Sequence, residues 1–246
     1  MMPGRRRFLR VTGGAAVAAA AGAALGCAAG RSRNRRLGFA IDARRCASAN
    51  GCVDCIRACH RTHNVPDIPD VGHEVKWIWK EPFERALAVD EPQILTPALG
   101  GQPVPVFCNH CDNPPCVRVC PTQATWQRDD GVVTIDAHRC IGCRYCVAAC
   151  PYGSRSFNWV EPRPYVPAPL SDYPTRSRGV VEKCNLCEER LARGLRPACV
   201  EACAGRAIIF GDLDDPASDL RRALADRYAV RRKPELGTRP QIYYLI

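Results

Sequence analysis

Cys140-Ile141-Gly142-Cys143-Arg144-Tyr145-Cys146-Val147-Ala148-Ala149-Cys150-Pro151 is the stretch on which the fold turns. Its spacing is C-x2-C-x2-C-x3-C-P. Three cysteines lie close enough along the chain to close round one compact group. The fourth is carried further on by a short helix. The proline after it cannot continue that helix and sends the chain away.

This spacing is the run that holds [4Fe–4S] clusters in bacterial ferredoxins. Three close thiolates bind three irons of one cubane, and the fourth reaches the neighbouring cluster. Cys108, Cys111, Cys116 and Cys120, followed by Pro121, repeat the plan with a loop widened across Asn113 to Pro115. Between the two runs, Thr122 to Arg128 and Val132 to Asp136 flank Asp129-Asp130-Gly131, a hairpin signature. Residues 103–160 therefore read as one two-cluster unit.

Two further sets stand outside it. Cys46, Cys52, Cys55 and Cys59 precede, and Cys184, Cys187, Cys199 and Cys203 follow. Both are less regular. Cys46 stands six positions before Cys52, and eleven residues separate Cys187 from Cys199. Within that gap Glu188 to Arg193 reads as a helix stopped at Gly194. Internal repetition makes these sets a second pair, split by insertion of the first. The predicted class is α+β: two ferredoxin-like [4Fe–4S] units, one inserted in the other, with short strands, short helices and long loops. The predicted divisions are an export signal at 1–30, the first part of the outer unit at 31–102, the inner unit at 103–160, the second part of the outer unit at 161–212, and a C-terminal helix and tail at 213–246.

Crossed ligation predicts four sites, with all sixteen cysteines as iron ligands. Cys46, Cys52 and Cys55 share a cluster with Cys203, and Cys184, Cys187 and Cys199 share one with Cys59. Cys108, Cys111 and Cys116 join Cys150, and Cys140, Cys143 and Cys146 join Cys120. The widened step after Cys46 sets that cluster apart as the one open to an altered or labile form. Zinc ribbons use two C-x2-C knuckles without a fourth cysteine and proline. Cysteines three apart bridge one another poorly as disulfides.

The ends and the charge refine this picture. The chain has 246 residues, seventeen of them cysteine, and a formal charge of +10. Arg5-Arg6-Arg7-Phe8-Leu9-Arg10 leads into an uncharged Ala/Gly-rich stretch from Val11 to Leu25. A basic segment, an apolar segment and small residues make an export signal. The paired arginines resemble a twin-arginine signal, with Gly4 in place of the usual Ser or Thr. That route carries folded proteins, which suits a cofactor inserted before export. Cys27 follows Ala24-Leu25-Gly26, a partial lipoprotein box, and stays unassigned. No later stretch is apolar enough to span a bilayer. Setting aside the four signal arginines leaves +6. Each [4Fe–4S] core with four thiolates carries about −2, so four bring roughly −8. The basic excess is then largely cluster compensation, and a nucleic-acid partner loses its support.

No P-loop, G-x-G-x-x-G, G-x-S-x-G or H-E-x-x-H occurs. The chain offers cofactors without substrate chemistry, and no catalytic residue is expected. His60 and His63 read as hydrogen-bonding or surface residues able to donate to cluster sulfurs. Trp77, Trp79, Trp126, Phe157 and Trp159 read as cluster shielding and core. Pro162 to Pro174 reads as a surface loop. Asp215 with Pro216 is expected to begin a helix burying Leu220 and Leu224.

The chain resembles the four-cluster iron–sulfur subunits that serve molybdopterin oxidoreductases and related membrane complexes. Residues 58–66 (ACHRTHNVP), 74–80 (EVKWIWK), 108–116 (CNHCDNPPC), 151–159 (PYGSRSFNW) and 231–238 (RRKPELGT) narrow the likeness. Together they resemble DsrO-type subunits of DsrMKJOP complexes in dissimilatory sulfur metabolism. The resemblance implies an electron-transfer subunit on the periplasmic side. It implies an NrfD-type quinone-interacting membrane subunit, a periplasmic multihaem cytochrome c and the other subunits of such a complex as partners. A tetrathionate or polysulfide reductase subunit would share every ligand. An exported cysteine-rich zinc or structural module is the alternative of another class.

Overall fold

A computed structural model describes residues 35–49, 51–88 and 98–246. The expected export signal at 1–30 and Cys27 lie outside these residues. The described elements form small sheets joined by short helices.

β1 (Leu37–Asp42) is buried along its whole length. A strand covered on both faces reads as a continuous apolar run, and Leu37-Gly38-Phe39-Ala40-Ile41 is one. β2 (Ile78–Pro82) and β3 (Pro103–Phe107) pair antiparallel, with Pro82 opposite Pro103 where the ladder ends. β4 (Thr125–Gln127) and β5 (Val133–Ile135) form the expected hairpin. Gly131 supplies its left-handed residue at φ +84°. β6 (Ser156–Phe157) and β7 (Val181–Glu182) pair antiparallel and bring the chain after Cys150 beside the chain before Cys184. β8 (Ile208–Asp212), β9 (Ala229–Val230) and β10 (Ile242–Leu245) complete a four-stranded sheet in the order β8-β1-β10-β9. β10 runs parallel to β1, so the two ends of the described chain meet in one sheet. Gly38 is required there, because a Cβ would sit 2.6 Å from the Gln241 carbonyl oxygen. Phe39 packs edge-on against Phe107 at 5.2 Å, and the Tyr244 hydroxyl donates to Pro105 O at 3.0 Å. These contacts tie the sheet to β3.

The helices that carry cysteines are very short. Pro115–Arg118, Tyr145–Ala148, Glu188–Leu191 and Ala198–Glu201 have one turn each. A single turn is unstable alone, so tertiary contacts must hold it. Helix Pro115–Arg118 packs on Tyr145–Ala148, and the longer Asp54–Thr62 packs on Ala198–Glu201. The same helix pairing thus occurs once among residues 103–160 and once between the flanking segments.

Two expectations change. The C-terminal helix is Asp219–Asp226 and starts later than Asp215. Ser218 is its N-cap: its Oγ accepts from Arg221 N at 3.1 Å and donates to Asp212 O at 2.6 Å. Asp215 instead closes the preceding turn by accepting from Ala217 N. Leu220 is buried as expected, but Leu224 only partly. Trp126 and Trp159 are 40% and 43% exposed, so neither is core. Trp126 is the exposed residue of β4, between buried Thr125 and half-buried Gln127. The segment from Pro162 to Pro174 is the expected surface loop, exposed over most of its length, and it is tethered to the fold. The Asn64 side chain donates to Leu170 O and Tyr173 O and accepts from Leu170 N, and Val166 is buried.

Candidate metal centres

Sixteen cysteines are unbridged thiols among the described residues. The structure gathers them into four groups of four. Cys46, Cys52, Cys55 and Cys203 form the first. Burial pushes the Cys46 and Cys55 thiols up, Cys55 to about 12, and the neighbouring cysteines add to it. Cys59, Cys184, Cys187 and Cys199 form the second. Burial and mutual repulsion raise Cys59 and Cys199 far above the ordinary thiol range. Cys108, Cys111, Cys116 and Cys150 line one cavity. Cys120, Cys140, Cys143 and Cys146 line another. Each group takes three cysteines from one run and the last from another.

Helical spacing explains the crossing. Cys55 and Cys59 stand four residues apart, as do Cys116 and Cys120, Cys146 and Cys150, and Cys199 and Cys203. Four residues advance a helix by about 6 Å on the same face. One turn therefore lends a thiol to each of two adjacent groups. The four groups follow in series: the Cys55–Cys59 helix joins the first to the second, and the Cys116 and Cys146 helices join the third to the fourth. Between the second and third, Lys183 Nζ donates to Cys184 O at 2.7 Å and to Val133 O in the wall of the third cavity.

The surroundings suit thiolates bound to positive iron. Backbone N–H groups of Leu186, Ala198 and Ala207 donate to Cys184, Cys187 and Cys203 sulfurs at 3.4, 3.4 and 3.2 Å. His110 is fully buried. Its Nδ1 accepts from Val133 N at 3.1 Å, which puts the proton on Nε2, where no oxygen or nitrogen partner is found among the described residues. Against its burial, the Cys108 thiol lies well below its usual range because His110, Lys183 and Arg155 surround it. His63 is buried, with Nδ1 2.8 Å from Cys59 O and 3.7 Å from Cys59 Sγ. Its ring stacks on Trp77 at 4.6 Å and its Nε2 lies 3.0 Å from a Glu189 oxygen. Burial would lower this histidine, yet Cys187 and Glu189 outweigh it and push it up to about 9. Trp77 Nε1 donates to Glu182, which pairs with Arg176 at 2.6 Å. Four converging thiols, no disulfide among the described residues, N–H donors on the sulfurs and buried donors without oxygen partners fit [4Fe–4S] cubanes.

Sequence reasoning did not single out His110, Lys183 or Arg155. Each is a lone polar residue beside a cysteine run, and only the tertiary fold buries it.

The profile of the 4Fe-4S dicluster domain family matches residues 101–163 and 168–213. Those spans hold the second, third and fourth cysteine sets. The Hdr-like menaquinol oxidoreductase iron-sulfur subunit 1 of Archaeoglobus fulgidus is 35% identical over 277 residues, covering 99% of this chain and 98% of the relative. A tetrathionate reductase subunit of Salmonella typhimurium is 39% identical over 216 residues, covering 87% and 74%. A polysulfide reductase subunit of Wolinella succinogenes is 35% identical over 195 residues, covering 78% and 86%. The chain belongs to the family of [4Fe–4S] iron–sulfur subunits that transfer electrons within oxidoreductase complexes.

Proposed function

We propose that this chain is a DsrO-type relay. It would carry single electrons through four [4Fe–4S] clusters between an NrfD-type quinone-interacting membrane subunit and a periplasmic multihaem cytochrome c, in dissimilatory sulfur metabolism. The sixteen cysteines are the ligands. Their crossed sets are Cys46, Cys52, Cys55 and Cys203; Cys59, Cys184, Cys187 and Cys199; Cys108, Cys111, Cys116 and Cys150; and Cys120, Cys140, Cys143 and Cys146. The observation that carries this reading is the serial order of four thiol groups with no catalytic constellation beside them among the described residues. The outer unit is the pair of segments flanking residues 103–160. Export by the twin-arginine route and attachment to the membrane through partner subunits complete the proposal. Among the described residues no helix is long and apolar enough to cross a membrane.

The end-to-end match to a menaquinol oxidoreductase subunit favours this placement over a molybdopterin enzyme. The tetrathionate reductase subunit matches over less of both chains. Anaerobic purification with iron and sulfide analysis tests the cluster count. About sixteen irons per chain are expected, and fewer than about twelve would sink the four-cluster form. Isolation of the native complex tests the placement. Co-purifying haem and a membrane subunit without molybdenum support it, and stoichiometric molybdenum overturns it.

A further inference from the structure

Among the described residues, two cations are buried without a carboxylate partner. Lys183 is 1% exposed and Arg155 5% exposed, and neither forms an ion pair among the described residues. Buried charges are ordinarily paired or near a metal. Lys183 Nζ is held by two carbonyls, Cys184 O of the second group and Val133 O in the wall of the third. Arg155 lines the third cavity, and its Nη2 donates at 2.8 Å to Thr125 Oγ1, which lines the fourth. Its Nη1 is buried without a hydrogen-bond partner among the described residues. Each cation therefore stands at a junction between successive thiol groups, and only the thiolates and their irons remain to supply its counter-charge.

We propose that Lys183 and Arg155 are positioning residues for electron transfer, fixed positive charges between successive clusters that raise the reduction potentials of the clusters flanking them. Reduction adds one electron to a cubane that, with its thiolates, already carries about −2. A buried cation beside it favours the more negative state, and the low local dielectric strengthens the effect. Placement at a junction lets one charge act on two neighbours, which keeps adjacent clusters close in potential. The inference rests on the four-cluster reading, which iron content and the EPR signals of the unaltered chain check separately.

The test is a potentiometric EPR titration with dithionite on the full, cluster-loaded chain and on Lys183→Gln, Lys183→Arg, Arg155→Gln and Arg155→Lys. Lys183→Gln should make reduction of the second and third clusters about tenfold less favourable, which is about 59 mV for one electron. The first and fourth should stay in place. Arg155→Gln should move the third and fourth and spare the first. The charge-keeping variants should stay close to the parent chain. Unchanged potentials in either glutamine variant with full iron content overturn the proposal. Equal shifts in all four clusters do so too. If both glutamine variants fail to take up clusters while the charge-keeping ones succeed, the charges serve assembly instead, and the proposal is wrong.

Discussion

Asp42 offers a direct test of how the sheet supports the first thiol group. It ends β1, is 2% exposed, and caps helix Ala43–Ser48 by accepting from Arg45 N at 3.0 Å. That helix carries Cys46. The other carboxylate oxygen meets Arg227, and Arg45 Nε lies 3.3 Å away. Asp42→Asn keeps the cap, because asparagine caps as well as aspartate. It removes only the charge. A hydrogen bond to a charged group contributes about 1.5–3 kcal/mol. Arg227 is 31% exposed and Arg45 61%, so solvent screening reduces that to about 1–2 kcal/mol. For a chain of this length, 1 kcal/mol shifts Tm by about 2–4 °C, so melting should fall by about 2–8 °C. Asp42→Ala also loses the cap, worth about a further 1 kcal/mol. The sign of the pH dependence follows from the depressed carboxyl, which burial opposes and Arg227 and Arg45 enforce. A carboxylate held below its unfolded value stabilises fully above that value, near 4, and loses the contribution as pH falls through the folded one. The gap between parent and Asn variant should thus be flat from about pH 5.5 to 8. Anaerobic thermal melts with EPR of the first cluster report both effects. A gap under about 1 °C at pH 7, or one that widens toward pH 5.5, would refute the argument.

Three further outcomes are expected. Gly142→Ala places a Cβ 2.2 Å from Gly179 O at a residue with φ +69°, so the Cys140–Cys146 loop must open; iron analysis should fall by about four irons, with the fourth cluster lost first. Arg176→Met leaves the Glu182 carboxylate without its counter-charge in a pair that is 8% and 1% exposed and should cost about 3–5 kcal/mol, while the double change with Glu182→Met should recover only part of it, because Trp77 Nε1 and the Asn158 amide then lose their acceptor; anaerobic denaturant melts decide. Asn64→Ala removes both the donor and the acceptor that hold Leu170, at about 1–3 kcal/mol, and should speed proteolysis between Glu161 and Thr175.

How much could be read from the chain depended on whether physics links neighbours or distant residues. A cubane imposes its size on consecutive cysteines, so the Cys140 run and the hairpin before it were open to reading. The same size, repeated, indicated the split outer pair. The helix start at Ser218 was harder. Asp215 and Ser218 are both good caps, and what decides is the Ser218 bond to Asp212 O at the end of β8. Trp126 was misplaced because a three-residue strand gives no period to tell the covered face from the open one. Lys183 resembled any surface lysine until β7, which ends just before it, brought its ammonium to Val133. No local pattern carries that information.

Exposure and charge vary along the series in a connected way. In the first and fourth groups three of the four cysteines are only partly buried, whereas in the second and third three of four are buried. Ends near solvent suit exchange with partners, since an electron must enter and leave where another protein can approach. A buried middle has the opposite problem. Desolvation penalises each added negative charge, as the raised thiols of the second group already report. Without compensation the middle would form an energetic hill between accessible ends. Lys183 lies between the second and third groups and His110 beside the third, while Arg155 stands between the third group and the more exposed fourth. Under the proposal above, these charges offset the cost of burial in the middle of the series and bring it closer in potential to its ends.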